Sequence, residues 1–271
     1  MTTDIGNALA LVTGASSGIG AEYARQLAAA GYDLILVARR RDRLERLRDT
    51  LRDGHGVIVD VIAADLAEPQ QRRLVETAAA ERPLSMLVNN AGVGGILPFD
   101  QTSSDAIQRM LDVNVTALTR LARAALPGML KRGLGTIVNV GSGLSFTTMP
   151  NAAVYAGTKA YVVHFTQALG EEVADRGIRL QALVPGLVRT ELGSDEFYKQ
   201  FPREAVMSPQ ALVSASLAGL ELGELVCIPV LADIEEWAAA NTAIRAVGER
   251  IAGACPAVPA ARYARRSSQT P

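Results

Sequence analysis

Residues 8–20 decide the fold of this chain, and they read ALALVTGASSGIG. Ala8 to Val12 is an apolar run of the kind that forms a buried strand. Three glycines follow at G-x-x-x-G-x-G spacing, and apolar residues from Tyr23 to Ala28 then recur at helical spacing. A strand, a glycine-rich turn and a helix in this order predict a dinucleotide site, because glycines permit close backbone approach and a helix N-terminus attracts a pyrophosphate.

The same alternation of strand and helix continues along the chain. Further strands are predicted at residues 34–37, 57–63, 84–88, 137–140, 178–184 and 225–230. Further predicted helices begin near residues 40, 68, 104, 155, 209 and 233. This order predicts an α/β fold, with a single doubly wound Rossmann-type domain whose parallel sheet has about seven strands and helices on both faces.

We predict that this domain spans residues 1–252 and that a flexible tail follows at residues 253–271. The tail is rich in Ala, Pro, Arg and Ser, which suits a solvated segment, and contact with an acidic partner is the alternative. Residues of about 190–207 mix aromatic side chains with charges and show no strand pattern. They are predicted to form a substrate lid, with an ordinary surface loop as the alternative.

Composition and charge argue against several classes of protein. Hydrophobic residues make up 49% of the 271 residues and charged residues 20%, which is typical of a globular chain. The net charge of −1 gives no general attraction to nucleic acid or to an anionic membrane. Two histidines, His55 and His164, are too few for a zinc site, so we expect no metal. Because the N-terminus shows no signal-peptide pattern and no apolar run has membrane length, we expect a cytoplasmic location.

A second motif, within residues 139–159, carries candidate chemistry. Ser142 directly follows a predicted strand and Gly141, at the carboxyl end where open α/β sheets bind ligands. Tyr155 and Lys159 are four residues apart on a predicted helix, so they share one face. A nearby ammonium group favours a phenolate, and the pKa of Tyr155 is therefore expected to fall below about 10. Such a tyrosine could exchange a proton near neutral pH, although a Tyr-x-x-x-Lys pattern also arises by chance.

The residues after the second strand bear on cofactor choice. An NAD site usually has an acidic residue here, which bonds the ribose 2′-hydroxyl. This chain has Ala38 followed by Arg39 and Arg40, and the guanidinium fork suits a 2′-phosphate. We therefore predict NADP(H), with Arg39 as the main contact and Arg40 sharing the load. The alternative is that the arginines form the charged face of a helix, as we expect for Arg43, Arg46 and Arg48.

Asparagines mark two further positions. Asn89 and Asn90 leave the fourth strand, where they could cap a turn or line the cofactor groove. Asn114 lies in an apolar stretch of a long predicted helix, and a buried asparagine needs hydrogen-bond partners. It is therefore either a structural bridge or part of a proton path. Pro127 and Gly128 are predicted to bend or interrupt the end of that helix.

Taken in order, these motifs resemble the classical subgroup of the short-chain dehydrogenase/reductase family from Ala8 to about Val230. The resemblance rests on the glycine-rich turn, the Asn89–Gly92 segment, Asn114, Ser142, the Tyr155 and Lys159 pair, and Pro185-Gly186. The end of the chain, around Cys227 and Trp237, is also similar to the DltE-like bacterial branch.

The resemblance implies a role for each motif. Tyr155 would exchange a proton with the substrate oxygen as hydride passes to or from the nicotinamide, and Ser142 would hydrogen-bond that oxygen. Lys159 would hold the nicotinamide ribose and lower the Tyr155 pKa, and Asn114 would hold a water that links Lys159 to solvent. Positions implied to contact the cofactor, besides Tyr155 and Lys159, are Gly14, Ser16, Ser17, Gly18, Ile19, Gly20, Arg39, Arg40, Asp65, Leu66, Asn90, Ala91, Gly92, Pro185, Gly186, Val188 and Thr190.

The leading functional hypothesis is an NADP(H)-dependent oxidoreductase acting on a small-molecule carbonyl or alcohol. One alternative is an NADP-binding regulatory or scaffold protein without turnover, and another is a non-redox enzyme on the same fold. The resemblance also implies a homodimer or homotetramer joined through the helices of Asn114 and Tyr155, with a monomer as the alternative. An apolar substrate pocket is suggested by Leu144, Met149, Phe197, Tyr198 and Phe201.

Overall fold

The structure is a computed structural model, and it describes residues 8–191, 193–253 and 263. Within these residues, seven strands form one parallel sheet. They are β1 (Leu9–Thr13), β2 (Asp33–Ala38), β3 (Val59–Ala63), β4 (Leu84–Asn89), β5 (Gly135–Val140), β6 (Ile178–Leu183) and β7 (Val226–Cys227). Their order is β3-β2-β1-β4-β5-β6-β7, which confirms the predicted doubly wound, Rossmann-type α/β fold.

Helices follow the strands and cover both faces of the sheet. They are α1 (Gly18–Ala29), α2 (Arg41–His55), α3 (Pro69–Glu81), α4 (Ser104–Leu111), α5 (Leu118–Arg132), α6 (Ala153–Glu172), α7 (Asp195–Tyr198), α8 (Pro209–Glu221) and α9 (Ile234–Gly253). Along β1, Ala10 and Val12 pack into the core beneath α1, α2 and α8. Leu9 and Leu11 pack into the second core, beneath α3, α5 and α6. Because both faces are buried, β1 is apolar throughout rather than alternating.

The long helix predicted from residue 104 is interrupted at a different place from the one expected. A π-helical segment, Asp112–Ala117, separates α4 from α5 and contains Asn114. Such segments are rare and frequently mark functional sites. Pro127 lies inside α5, which continues to Arg132. Because proline has no amide hydrogen, Pro127 donates no helical bond to the carbonyl of Arg123, which is an exposed residue.

Two other elements differ from the sequence prediction. β7 is only two residues long, since it pairs with Ala182 and Leu183 and β6 ends there. The predicted lid contains the short helix α7, and its ends are tied together, because Met207 N donates to Leu187 O at 2.9 Å and Arg189 N donates to Met207 O at 3.0 Å. The two ends of the predicted lid are therefore held side by side by backbone hydrogen bonds.

The chain divides into two compact units between Val230 and Leu231. The second unit contains α9, none of whose residues is buried. The predicted tail at residues 253–271 lies outside the described residues, except for Gly253 and Tyr263, so the boundary at residue 252 stays a prediction. Among the described helices, none combines the length and apolar character that crossing a bilayer requires.

Buried amides connect the sheet to α6, the helix that carries Tyr155. Asn89 Nδ2 donates to Asn139 Oδ1 at 2.9 Å, between paired positions of β4 and β5. Asn139 Nδ2 donates in turn to Thr166 Oγ1 on α6 at 3.0 Å. All three residues are buried, and a buried polar group that loses its partner is costly. This chain of bonds therefore fixes α6 against the strands.

We expect Asn139→Ala to lower the free energy of unfolding by about 2–4 kcal/mol, because it leaves a cavity and removes a partner from both Asn89 and Thr166. Urea denaturation followed by circular dichroism measures this change. Thr166→Val nearly keeps the side-chain volume and removes the last link together with the bond from Thr166 Oγ1 to Val162 O, so it should cost about 1 kcal/mol. A change below about 0.5 kcal/mol for Asn139→Ala would show that the network does not hold α6.

Candidate active site

The sequence-predicted residues meet at the carboxyl edge of the sheet. The glycine-rich turn follows β1, Asn90 to Gly92 follow β4, Ser142 follows β5, and Pro185 to Thr190 follow β6. β1 and β4 are neighbours from which the chain winds outward in opposite directions. A crevice at such a switch point is where α/β sheets of this order bind ligands.

The glycine-rich turn lies tightly against the segment after β4. Gly14 has φ of +68° and Gly18 has φ of +55°, which are conformations that favour glycine. A Cβ on Gly14 would lie 2.6 Å from Asn90 Nδ2, so a side chain does not fit there. Ser17, at the N-cap of α1, makes no side-chain bond to the first turn of that helix. The turn thus offers bare backbone and uncapped amides, which suit a phosphate group.

Thr13, which the sequence analysis did not single out, holds this turn in place. Its Oγ1 donates to Val88 O at 3.2 Å and accepts from the amides of Asn90 and Ala91, each at 3.0 Å. Asn90 Nδ2 donates back to Thr13 O at 2.9 Å. Asn89 faces the core instead, so only Asn90 lines the groove. The sequence shows a threonine at the end of β1, but its role could not be predicted without knowing that β4 is the neighbouring strand.

Ser142, Tyr155 and Lys159 lie together, although not with the electrostatics expected. Ser142 and Tyr155 are joined by a side-chain hydrogen bond. Burial raises the pKa of Tyr155, and the hydrogen bond to Ser142 only partly opposes this rise. The predicted lowering of this pKa by Lys159 is therefore wrong for this structure. Lys159 Nζ lies 5.8 Å from the centroid of the tyrosine ring and donates to Val140 O at 2.8 Å instead.

Lys159 is a buried base. Its residue is 5% exposed, and burial lowers its pKa to about 8. Gly92 lies beside both groups, since a Cβ built on it would be in ordinary contact with Lys159 Nζ at 3.6 Å and with Asn114 Oδ1 at 3.5 Å. The lysine can consequently exchange a proton near neutral pH.

Asn114 bridges the π-helical segment to two other parts of the site. Its Oδ1 accepts from Val93 N at 2.9 Å, and its Nδ2 donates to Val93 O at 2.9 Å and to Thr158 Oγ1 at 3.1 Å. These bonds make Asn114 a structural bridge, the first of the two roles considered. Its role in a proton path stays a prediction.

Ser145 is a second residue that the sequence analysis missed. The amide of Ser142 donates to Ser145 Oγ at 3.3 Å, and Ser145 Oγ donates to Lys159 O at 2.8 Å. Ser142 Oγ also accepts from Leu144 N at 3.2 Å. The spacing of Ser142 and Ser145 is that of a capping box, which was a readable signal. Ser145 thereby joins the loop of Ser142 to the helix of Tyr155.

At the opposite end of the groove, Arg40 rather than Arg39 reaches the glycine-rich turn. Its Nη2 donates to Ser16 Oγ at 2.9 Å and to Ser17 Oγ at 2.8 Å, and its Nη1 donates to Glu191 Oε2 at 2.7 Å. Arg39 is exposed. Arg43 was expected on a solvated helix face, but it also binds Glu191. Arg46 and Arg48 pair with neighbours on their own helix, as that interpretation requires.

Asp65 lies near this end of the groove and is itself ion-paired. Its Oδ2 accepts from Arg109 Nη2 at 2.6 Å, and its Oδ1 accepts from Ala67 N at 3.0 Å. Burial raises the pKa of Asp65, but these hydrogen bonds and the charge of Arg39 bring it below its ordinary value. Leu66 is buried in one core, and the half-buried Ile19 packs against the other.

The segment after β6 crosses the glycine-rich turn. A Cβ on Gly18 would lie 3.2 Å from Thr190 Cγ2, so Thr190 rests against the turn. Tyr198 Oη donates to Val188 O at 2.7 Å and accepts from Thr190 N at 3.2 Å. Pro185 O accepts from Gly143 N at 2.9 Å, which connects the segment that Gly186 continues to the Ser142 loop. The segment after β6 thus contacts both the glycine-rich turn and the loop of Ser142.

Comparisons with known proteins agree with this geometry. A sequence model of the family described as short chain dehydrogenase matches residues 8–200. A short-chain dehydrogenase from Sphingobium yanoikuyae, solved in complex with NADPH, is 39% identical, with a TM-score of 0.88 over 94% of this chain and 100% of that one. A bulky-bulky ketone specific alcohol dehydrogenase from Comamonas testosteroni is 36% identical, with a TM-score of 0.86 over 96% of this chain and 99% of that one.

One relative is named as an inactive protein, unlike the two enzymes above. The human inactive hydroxysteroid dehydrogenase-like protein 1 is 32% identical over 218 residues. That match covers 79% of this chain but 66% of the human protein, which is slightly less than two thirds of its length. Nothing in these matches bears on the DltE-like branch, which stays a prediction. The extent of the family match and the identity to these relatives show that the chain belongs to the short-chain dehydrogenase family.

Proposed function

We propose that this chain is an NADP(H)-dependent oxidoreductase of the carbonyl reductase or alcohol dehydrogenase type, with Tyr155 as its acid and base. The observation that carries this proposal is the group of Ser142, Tyr155 and Lys159 at one edge of the sheet, beside a glycine-rich turn. A protein that only bound a dinucleotide would need the turn but not this buried acid and base. The NADPH in the Sphingobium structure belongs to that protein and supports the choice of cofactor here.

The chain's own residues supply the proton chemistry. Because burial raises the Tyr155 pKa, the phenol holds its proton at neutral pH and can donate it to a carbonyl oxygen. Ser142, already hydrogen-bonded to Tyr155, can donate to the same oxygen. Lys159, with a pKa of about 8, can return a proton towards Tyr155. When bound, the nicotinamide supplies the hydride to the carbonyl carbon, or accepts it in the oxidation.

The groove fits the proposed cofactor. Gly14, Gly18 and Gly20 leave the backbone bare, while Ser16, Ser17 and the arginines after β2 offer hydrogen-bond donors. These donors would hold the phosphates, with Arg39, Asp65 and Leu66 towards the adenine. Ile19, Asn90 to Gly92, Pro185, Gly186, Val188 and Thr190 would line the remainder. Tyr155, Lys159 and Asn114 would lie at the nicotinamide end.

The rim of the site supports an apolar substrate. Large apolar side chains are exposed in the loops after β4 and β5, namely Ile96, Leu97, Phe99, Phe146 and Met149. Leu97 N donates to Asn151 O at 2.9 Å, so the two loops meet. Tyr198, which was considered for the pocket, is buried and bonded to its own segment, as in a core. The substrate class that suits this rim is a bulky apolar ketone or the corresponding alcohol, and the similar Comamonas enzyme is itself described as specific for bulky-bulky ketones.

A second candidate function is binding without turnover, which the human relative described as inactive brings into consideration. The presence of Ser142, Tyr155 and Lys159 favours turnover in this chain. A non-redox reaction on the same fold would leave NADPH unconsumed. Measuring the absorbance of NADPH during incubation with a panel of apolar ketones distinguishes the two, because only a reductase lowers it.

A homodimer or homotetramer is part of the proposal. α5 and α6 were the expected contact helices, and Tyr161 on α6 is exposed while its ring stacks on Phe165 at 5.6 Å. Leu111, at the end of α4, is also exposed. Exposed apolar and aromatic groups of this kind suit an interface. The cytoplasmic location stays a prediction.

We expect Tyr155→Phe to reduce kcat by roughly 10²–10⁴-fold while the dissociation constant for NADPH changes little, because the ring stays and only the proton donor is lost. Steady-state kinetics and a separate binding titration measure the two quantities. Tyr161→Phe on the same helix is the matched control and should keep its turnover. A Tyr155→Phe enzyme with near-normal kcat would end the assignment of the acid.

The burial of Lys159 predicts a stability that depends on pH. Its pKa of about 8 in the folded chain, against 10.5 ordinarily, means that the folded state binds this proton more weakly than the unfolded state. Below pH 8 the buried charge opposes folding, and above about pH 10.4 the lysine is neutral in both states.

Lys159→Met should therefore raise the free energy of unfolding by on the order of 2 kcal/mol at pH 7, even as it removes activity. The difference from the wild type should shrink as the pH rises from about 8 to 10.4. Urea denaturation of both proteins across this range gives the comparison. A methionine variant less stable than the wild type at pH 7 would mean that the bond to Val140 O outweighs the cost of desolvation.

Arginines after β2 are expected to set the preference for NADP(H). A charged hydrogen bond contributes about 1.5–3 kcal/mol, so replacing Arg39 and Arg40 together by Ala should weaken NADPH roughly tenfold to a hundredfold and NADH far less. Each single substitution should weaken NADPH binding less than the double one, since both arginines contribute to it. Dissociation constants at one ionic strength test this. Arg48→Ala, which removes an arginine that pairs with Asp49 on its own helix, is the control. An equal loss for both cofactors in the double variant contradicts the assignment.

A further inference from the structure

Glu191 joins the segment after β6 to the arginines at the adenine end of the groove. Its Oε2 accepts from Arg40 Nη1 at 2.7 Å, and its Oε1 accepts from Arg43 Nη1. Arg40 simultaneously donates to Ser16 and Ser17 of the glycine-rich turn. The carboxylate therefore binds two arginines from the segment after β2, one of which is also bonded to the serines of the glycine-rich turn.

This donor set is chemically suited to a phosphate. Two guanidinium groups and two serine hydroxyls can surround a tetrahedral anion, and arginine forks match phosphate oxygens well. A cleft of about 440 Å³ lies beside the set, with Ser16, Ser17, Arg43, Arg46 and Glu191 among its lining residues. Hydrogen bonds from Arg40 and Arg43 hold the pKa of Glu191 below its ordinary value, so the carboxylate is charged at neutral pH.

The contacts of Glu191 are exchangeable. Its side chain is 53% exposed, and those of Arg40 and Arg43 are 39% and 38% exposed. Exposed ion pairs contribute little to stability, so the fold does not depend on them. Thr190 nevertheless rests on Gly18, and Arg189 N is tied to Met207 O. The backbone thus keeps Glu191 beside the arginines while its carboxylate can leave them.

We propose that Glu191 sets the cofactor selectivity of this chain, by competing with the 2′-phosphate of NADP(H) for Arg40 and Arg43. The inference rests on the proposed function, which supplies the ligand. A 2′-phosphate entering this set must displace the carboxylate or lie beside its negative charge, and both effects weaken binding. NAD(H) lacks the 2′-phosphate, so Glu191 does not weaken its binding. Displacement would also release the start of the lid from the adenine end.

The test is Glu191→Gln, which keeps the side-chain size and removes the charge. Calorimetric titration of wild type and variant with NADPH, NADH, 2′,5′-ADP and 5′-ADP at one ionic strength gives the affinities. We expect NADPH and 2′,5′-ADP to bind roughly three- to tenfold more tightly to the variant. NADH and 5′-ADP should change by less than about twofold.

Glu196→Gln is the matched control, because it makes the same charge change on α7, and its carboxylate has no hydrogen-bond partner among the residues that the structure describes. It should leave all four affinities unchanged. Suppose that wild type binds NADPH but Glu191→Gln has the same affinities as Glu196→Gln, or binds both cofactors more weakly to the same extent. Glu191 then only anchors the segment, and this inference is overturned while the proposed function stands. If wild type and both variants bind neither cofactor, the proposed function fails and this inference fails with it.

Discussion

The hydroxyl of Thr13 ties together the two strands on which the binding groove depends. β1 and β4 are where the sheet reverses its winding, and the loops beyond them diverge and leave a crevice. Thr13 accepts hydrogen bonds from two amides after β4, and Asn90 returns a bond to its carbonyl. Because these contacts use backbone and short side chains, they brace the floor of the groove without filling it. The close approach of the turn follows from this brace, since a side chain on Gly14 would collide with Asn90.

The two ends of the groove follow opposite electrostatic rules. At the end that contains Ser142 and Tyr155 the charged group is buried, and removing Lys159 from water shifts its pKa towards neutrality at a cost in stability. Hydrogen bonds of Asn114, Ser145 and the amide network of Asn139 hold the neighbouring elements. A pKa that depends on burial is maintained only while the burial is maintained.

At the end that contains Arg40 and Arg43 the charges are exposed and each contact is weak. Arg40 is bonded at once to the turn and to Glu191, so it can change partners without disturbing the core. One sheet supports both the buried and the exposed charges, because Lys159 lies on α6 after β5 and Arg40 follows β2. The segment after β6 touches both, through Pro185 near Ser142 and Glu191 near Arg40.

Much of the fold and the family could be predicted from the sequence, because both depend on local sequence patterns. Buried parallel strands are continuous apolar runs, helices repeat every 3.6 residues, and a glycine-rich turn between them specifies a switch-point groove. These patterns predicted the seven-stranded doubly wound sheet, and the order of the motifs identified the family correctly. The roles of the individual site residues, including Asn114, Tyr155 and Lys159, remain proposals.

Tertiary structure decided what depends on distance and burial between remote segments. The i, i+4 spacing places Tyr155 and Lys159 on one face, but only the approach of Val140 O turns the ammonium away, and only desolvation raises the tyrosine pKa. The sequence does not indicate that Arg40 reaches the turn or that Glu191, 151 positions further on, reaches Arg40. Thr13 and Ser145 acquire their roles from neighbours that folding supplies. Hydrogen bonds and pKa values depend on the three-dimensional surroundings of a group, which the spacing of residues along the sequence does not reveal.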